Sequence, residues 1–190
     1  MTRALLLAVL VACGKPAEHG TARDCFGYTA PPGWQPQASK TQADLVLVGP
    51  TAFVVGDQQM RDNFIVRFLP VAGSLDDFET QLLAAMTPAN VDHELGEQAR
   101  EHPELPKLSS GVPTPAITRT TLAGRDAFRL DTRNTIGMGS EPVAMVAATV
   151  FTKFGRHVVS ISTGYVLSRE AEVKPLAVAF LASVNFDRCK

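Results

Sequence analysis

The sequence has no excess of charge of either sign and few aromatic side chains. Its 190 residues include 18 lysines and arginines against 19 aspartates and glutamates, a formal net charge of −1, and aromatic residues make up 7% of the chain. A nucleic-acid-binding protein is expected to carry a basic patch or stripe, and a platform for single strands needs stacking aromatics. The composition therefore argues against a nucleic-acid partner.

Motifs that mark a catalytic centre are also missing. The sequence contains no G-x-S-x-G elbow, P-loop, dinucleotide fingerprint, C-x-x-C pair or EF-hand loop. Ser160, Ser162 and His157 are close in sequence, but on a strand His157 lies on the opposite face from both serines. We therefore predict no catalytic residue, no cofactor and no enzymatic activity.

Residues of the metal-binding type are concentrated in the segment 87–116, which has five prolines and five acidic residues. A helical turn here would place His93, Glu97 and Glu101 at positions i, i+4 and i+8, a spacing suited to metal ligands. A solvated acidic face is the preferred interpretation, because no apolar residues flank these side chains to hold them rigid. An enzyme or metal-handling protein that uses this loop is the alternative hypothesis for the function.

The start of the chain is typical of an exported protein. A short basic stretch containing Arg3 precedes nine apolar residues at 4–12, far fewer than the about 20 that a membrane-spanning helix needs. The residues before Cys13 resemble the lipobox of bacterial lipoproteins, in which the cysteine receives the lipid and becomes the new N-terminus. Residues 1–12 are therefore predicted to be a lipoprotein signal peptide. An ordinary signal peptide with a chance cysteine is the alternative.

A lipidated Cys13 would anchor the protein to a lipid bilayer, since several acyl chains together give stable attachment. Residues 13–24 are polar and are predicted to form the lipidated N-terminus and a flexible tether. In Gram-negative lipoproteins an aspartate after the cysteine commonly marks retention in the inner membrane, and here Gly14 stands in that position. The resemblance to lipoproteins thus implies the bacterial cell envelope, with sorting to the outer membrane and a domain that faces the periplasm.

Only two further cysteines are present, Cys25 and Cys189, and export would place them in an oxidising compartment. A disulfide between them is the economical inference, and closing so long a loop contributes on the order of 5 kcal/mol at best. Two free thiols are the alternative, because two cysteines do not establish their own proximity.

The strongest secondary-structure signal is a hairpin at 143–166, rich in β-branched and aromatic residues. A turn at Phe154 and Gly155 pairs Val150 with Val159. A turn at Gly155 and Arg156 shifts the pairing by two and keeps the same faces. The bulky face, expected to lie beneath a helix, carries Val146, Ala148, Val150, Val159, Ile161 and Tyr165. The small face, on which a groove is expected, carries Ala147, Thr149, Ser160, Ser162 and Gly164.

The remaining elements of residues 25–190 are short strands and two helices. Trp34 is expected to cap the edge of the core. Helices are predicted at 74–86, with Ser74 as N-cap, and at 168–183, with Ser168 as N-cap and a bend at Pro175 or a start near Lys174. Strands are predicted at 25–29, 44–48, 51–55 (two strands or one bent strand), 63–69, 117–122, 127–135 and 184–186. These elements predict a single α+β domain with a long loop at 87–116.

The order of elements and three short motifs resemble the Mog1/PsbP-like superfamily, including the DcrB-like bacterial lipoproteins. The motifs are Pro-Pro-Gly-Trp at 31–34, Leu-Ala-Gly-Arg-Asp-Ala-Phe-Arg-Leu at 122–130 and Ser-Val-Asn-Phe at 183–186. The resemblance covers about residues 26–186, with 87–116 poorly matched. It implies an α/β sandwich whose central antiparallel sheet is covered by helices. Members act mostly as binding or assembly modules, which implies a non-catalytic envelope lipoprotein that binds a protein or a small ligand.

Overall fold

The computed structural model describes residues 20–38, 43–55, 58–87, 89–90, 97, 100, 116–138 and 141–187. Within them, seven strands form one antiparallel sheet in the order β1-β2-β3-β7-β6-β5-β4. The strands are β1 (Gln35–Gln37), β2 (Leu45–Val55), β3 (Gln58–Pro70), β4 (Ala116–Leu122), β5 (Arg125–Met138), β6 (Glu141–Phe154) and β7 (His157–Val166). The helices are α1 (Gly20–Cys25), α2 (Leu75–Ala85) and α3 (Glu170–Ser183). No helix in the described part of the chain is long and apolar enough to cross a membrane.

The central hairpin consists of β6 and β7, and Gly155 and Arg156 form its turn. Val150 pairs with Ile161, so the second of the two predicted registers is correct and the turn at Phe154 and Gly155 is wrong. Gly155 has a φ of 58°. Glycine accepts this conformation readily at the first position of a two-residue hairpin loop, whereas the other register gives that position to Phe154. The predicted division of the hairpin into two faces is confirmed.

The bulky side of the sheet, here called the α3 face, is covered by α3. Its centre is an aromatic stack in which Phe64 of β3 lies 4.3 Å from the ring of Trp34 and 4.6 Å from the ring of Phe180 in α3. Trp34 is buried within this cluster, whereas the sequence predicts that it caps the edge of the core. Other buried members of this cluster include Phe26, Leu47, Val66, Phe68, Val150, Val159, Ile161 and Ala177.

The opposite side, here called the α2 face, is covered by α2 at one end only. There Phe78 of α2 packs against Phe128 and Phe151, whose rings stack at 4.8 Å. Beyond this aromatic end the face is small and half polar, and the hydroxyls of Thr149 and Ser162 lie 2.9 Å apart. The α2 face therefore has an apolar end beneath α2, a polar part, and beyond it a smaller apolar cluster in which Val166 packs with Val143 and Met145.

Local sequence signals explain why α2 forms where it does. Ser74 is its N-cap, as predicted. The Ser74 hydroxyl accepts a hydrogen bond from the backbone N–H of Asp77, whose carboxylate in turn accepts from the backbone N–H of Ser74. This reciprocal pair is a capping box. The apolar residues Leu75, Phe78, Leu82 and Ala85 recur at helical spacing and are buried.

The strand predicted at 25–29 is wrong. The chain forms α1 up to Cys25, which also places the last residues of the predicted tether in a helix, and the segment then makes a single bridge. In that bridge Gly27 and Asn185 exchange two backbone hydrogen bonds of 2.8 and 2.9 Å. The strand predicted at 184–186 consists only of this bridge. Glycine suits this close approach, since a Cβ atom at Gly27 would lie 2.4 Å from Oδ1 of Asn185 and would displace that side chain.

The ends of two other elements also differ from their predictions. A 3-10 turn, Leu167–Arg169, leads into α3, so Ser168 is not the N-cap, and α3 runs from Glu170 through Pro175 rather than starting near Lys174. Only one helical hydrogen bond is lost at the proline, since the missing N–H is that of Pro175 alone. In the N-terminal half, β2 is one strand whose register shifts between Val48 and Ala52, as in the bent-strand alternative.

Candidate functional site

A cleft lies between α3 and the α3 face of the sheet. It encloses about 20 Å³, room for one or two groups the size of a water molecule. Small side chains, Ala148 on the sheet and Ala177 on α3, line the gap where larger side chains would fill it. The apolar lining residues are Phe64, Ala148, Val150, Ile161, Ala177, Val178 and Leu181.

Arg129 of β5 brings a guanidinium group to this cleft. Arg129 and Asp131 are two residues apart on one strand, so their side chains lie on the same face. Nε of Arg129 donates to both carboxylate oxygens of Asp131 at 2.9 Å, and Nη2 donates to one of them at 2.8 Å. These hydrogen bonds raise the pKa of Arg129. Nη1 donates no hydrogen bond to any residue that the structure describes. The N–H groups on that edge of the guanidinium are therefore available to a ligand.

Lys174 brings a second positive charge from the first half of α3. Its Nζ atom is 3.6 Å from Oε1 of Glu170, one helical turn earlier, and its side chain is 59% exposed. At that distance the pair is an ion pair without a normal hydrogen bond. Exposed pairs of this kind are weak, and the Lys174 ammonium group is therefore available to another anion.

Tyr165 of β7 adds a hydroxyl group to the same cleft. The residue is only 3% exposed, yet its hydroxyl makes no hydrogen bond to any of the described residues. Burial, and after it the charge of Glu170, raise the pKa of Tyr165. The phenol therefore remains protonated at neutral pH and can donate a hydrogen bond.

The charges around the cleft do not cancel. Nη2 of Arg133 lies 4.0 Å from Oε2 of Glu170. The ion-paired side chains described around the cleft are therefore three cations and two carboxylates: Arg129, Arg133 and Lys174 against Asp131 and Glu170. The difference is one positive charge. Chemically, the cleft can hold a small apolar group next to an anion.

The cysteines predicted as site residues are only partly described. Cys25 lies at the end of α1 and is 3% exposed. Cys13 and Cys189 lie outside the described residues, so lipid attachment at Cys13 and the disulfide between Cys25 and Cys189 stay predictions.

The predicted metal-binding alternative falls mostly on residues that are not described either. His93 and Glu101 lie outside the described residues. Glu97 is helical, and its carboxylate is 3.8 Å from Arg100. Among the described residues there is no group of three or more His, Cys, Asp or Glu side chains placed to hold one metal ion.

The cleft differs in place and in residues from what the sequence predicts. It lies on the bulky face of the hairpin, opposite the small face on which a groove is expected. The sequence does not predict Arg129, Tyr165 or Lys174 as site residues. The signal that marks Arg129 is its spacing of two residues from Asp131 in a strand, which places a cation and an anion on one face. As predicted, the backbone register places His157 on the opposite face from Ser160.

Comparison with known proteins identifies the fold. No protein-family model matches the sequence, and no curated protein is similar to it in sequence. The solution structure of cyanobacterial PsbP (CyanoP) from Synechocystis sp. PCC 6803 is similar, with a TM-score of 0.51, 14% identity, and coverage of 94% of this chain and 99% of that one. The chain thus has the Mog1/PsbP-like fold, as its motifs implied, and the predicted α+β class is confirmed.

Two further solved structures match with lower TM-scores. LpqN, involved in cell envelope biogenesis of Mycobacterium tuberculosis, has a TM-score of 0.49 and 12% identity, covering 84% of this chain and 82% of that one. The Ran-binding protein Mog1p of Saccharomyces cerevisiae has a TM-score of 0.47 and 12% identity, covering 85% of this chain and 90% of that one. At such identities structural similarity concerns the fold alone.

Proposed function

We propose that the protein is a lipid-anchored lipoprotein of the bacterial cell envelope that binds a protein or a small ligand without catalysing a reaction. The cleft beneath α3 is its binding site. One observation carries the proposal: Arg129, Lys174 and Tyr165 line the same cleft as a set of apolar side chains. Each of the three has at least one N–H or O–H group that donates no hydrogen bond to a described residue. An apolar cavity with a few convergent polar groups is the usual composition of a binding site.

Site-specific crosslinking in living cells tests the binding site. Val178 lines the cleft and is 58% exposed, so a photoreactive amino acid fits there without disturbing the core. Leu83 of α2, which is 39% exposed on the other side of the sheet, is the matched control position. We expect a crosslinked product from position 178 that position 83 does not give. Identical products from both positions, or none from 178, would contradict a binding role of the cleft.

Mass spectrometry of the membrane fraction tests the anchor. The support for it is the order of basic start, apolar run and Cys13 in the sequence. We expect a mature N-terminus at Cys13 carrying acyl chains, and release of the Cys13→Ser variant from the membrane fraction. Separation of inner and outer membranes then tests the proposed outer-membrane location, which rests on Gly14. A mature N-terminus at another residue, without lipid, would rule out the anchor.

A disulfide between Cys25 and Cys189 is part of the proposal. Its support is the bridge between Gly27 and Asn185, because Cys25 lies two residues before one partner and Cys189 four residues after the other. Peptide mapping under non-reducing conditions is expected to recover the two cysteines in one linked peptide. Recovery of both as free thiols would show that the pairing does not form.

A further inference from the structure

The cleft is too small for a long apolar ligand but suits one aliphatic side chain. Its enclosed volume of about 20 Å³ has room for one or two methyl-sized groups, such as the methyl end of one aliphatic side chain. An alkyl chain of a fatty acid would leave most of its carbons outside. The apolar lining therefore limits the apolar part of a ligand to about one residue.

The polar groups of the cleft favour a carboxylate at a short distance from that apolar group. Arg129, Lys174 and Tyr165 line the same small cavity as Ala148 and Ala177, so the donors and the apolar lining lie side by side. A carboxylate that accepts hydrogen bonds from arginine and lysine forms charge-assisted bonds, which are stronger than neutral ones. The excess of one positive charge around the cleft adds to the attraction.

The C-terminal residue of a polypeptide has this combination of groups. Its carboxylate and its side chain branch from the same Cα atom, so they are neighbours, whereas a fatty acid carries its carboxylate at the end of a long chain. Capture of a terminal carboxylate is a known mode of peptide recognition. We infer that the cleft holds the C-terminal residue of a partner polypeptide, an aliphatic residue whose carboxylate pairs with Arg129 and Lys174.

The arrangement of Arg129 supports this assignment. Asp131 holds the guanidinium in a fixed orientation through three hydrogen bonds of 2.8–2.9 Å, and the Nη1 edge remains free of hydrogen bonds to the described residues. A donor that is already oriented loses little conformational entropy when a ligand binds. In this role Asp131 is a positioning residue and Arg129 a binding residue.

Fluorescence polarisation with labelled pentapeptides tests the inference on the full-length protein in mild detergent. The probes are a peptide that ends in leucine with a free carboxylate, the same peptide with a C-terminal amide, and the free acid ending in serine. We expect the leucine acid to bind at least about 10-fold more tightly than the amide, because the amide loses the charge-assisted hydrogen bonds. The serine peptide is expected to bind weakly, because it lacks the apolar group.

Variants of the protein distinguish loss of the Lys174 charge from loss of folding. Lys174→Gln is expected to weaken binding of the acid by about 5-fold or more and to leave binding of the amide unchanged. Arg156→Gln removes an exposed cation at the β6–β7 turn and is the matched control, with no effect on either peptide. Unchanged thermal melting of both variants shows that folding is intact.

Three results would overturn the inference: equal affinities for acid and amide, no binding of the leucine acid stronger than about 1 mM, or displacement of the peptide by octanoate as effective as by unlabelled peptide.

This inference rests on the proposed binding function of the cleft, and the crosslink from Val178 keeps the two distinguishable. If the crosslink forms while the peptides fail, the cleft binds a partner of another chemistry. If both fail, the binding role of the cleft is lost as well.

Discussion

The two faces of the sheet hold their helices in different ways. On the α3 face, α3 has no side-chain cap and is held by contacts between residues far apart in sequence, above all the stack of Trp34, Phe64 and Phe180. On the α2 face, α2 has a complete capping box within its own first turn and covers only the aromatic end of the sheet. One helix is thus defined by tertiary packing and the other largely by its local sequence.

The largest expected effect comes from removing the centre of the aromatic stack. Phe64→Ala deletes a side chain that is 1% exposed and is expected to lower the free energy of unfolding by about 3–5 kcal/mol. Ile65→Ala, the next residue, changes the half-buried opposite face and is the matched comparison. We expect a clearly smaller loss there. Equal losses, measured by denaturant unfolding, would mean that the two faces contribute alike.

The second effect concerns the start of α3. Arg169 donates to Oδ2 of Asp62 at 2.9 Å from both Nε and Nη2, while Oδ1 of Asp62 is buried without a hydrogen bond to the described residues. Arg169→Ala would leave this carboxylate uncompensated and is expected to destabilise the protein by about 2 kcal/mol. Adding Asp62→Asn to this variant should recover part of the lost free energy of unfolding, as measured by urea denaturation. A double variant no more stable than the single one would refute this account.

The third effect is the pH dependence of the cap of α2. The backbone N–H and then the hydroxyl of Ser74 hold the pKa of Asp77 below its usual value, with a smaller contribution from Lys153. Because the folded pKa is the lower one, the stabilisation is complete above about pH 4, the pKa of an unfolded aspartate, and is lost as the pH falls through the folded pKa.

Asp77→Asn should therefore melt at a lower temperature than the natural protein near pH 6. The gap in melting temperature is expected to narrow as the pH falls below about 4 and through the lowered pKa of the folded protein, because the carboxyl group of Asp77 then becomes neutral. Circular dichroism at a series of pH values measures the gap. A gap that is constant with pH would exclude the charge of Asp77 as its cause.

The smallest effect is expected on the polar part of the α2 face. Thr149→Val together with Ser162→Ala removes both partners of the 2.9 Å hydroxyl contact, so neither is left unsatisfied. We expect a change in the free energy of unfolding within about 1 kcal/mol, as found when both partners of a hydrogen bond are replaced by apolar groups. A loss as large as that of Phe64→Ala would show that the comparison between the faces is wrong.

The contrast between the faces also explains which features could be predicted from the sequence. The hairpin and α2 follow from local patterns: alternation along a strand, helical spacing of apolar residues, and Ser74 three residues before Asp77. The start of α3 could not be predicted in this way, because Asp62 and Arg169, which join β3 to the 3-10 turn, are 107 residues apart.

The candidate site also combines a feature that local sequence determines with one that depends on contacts between distant residues. The ion pair of Arg129 and Asp131 is local and could be found from the spacing of two residues. The cavity itself results from Ala148 and Ala177 lining a common gap, and no pattern within either segment signals that these two residues meet. The register of the hairpin was ambiguous because it depends on which residue takes a positive φ, and glycine at 155 decides it.

The aromatic stack on the α3 face has a practical consequence. Trp34 is the only tryptophan in the chain, and it lies against Phe64 with an angle of 23° between the rings. Its intrinsic emission is therefore an optical reporter of this one face, with no signal from a second indole to subtract. A red shift of the emission would report exposure of Trp34 to water, and with it loosened packing on the α3 face, even under conditions in which α2 and its cap remain folded.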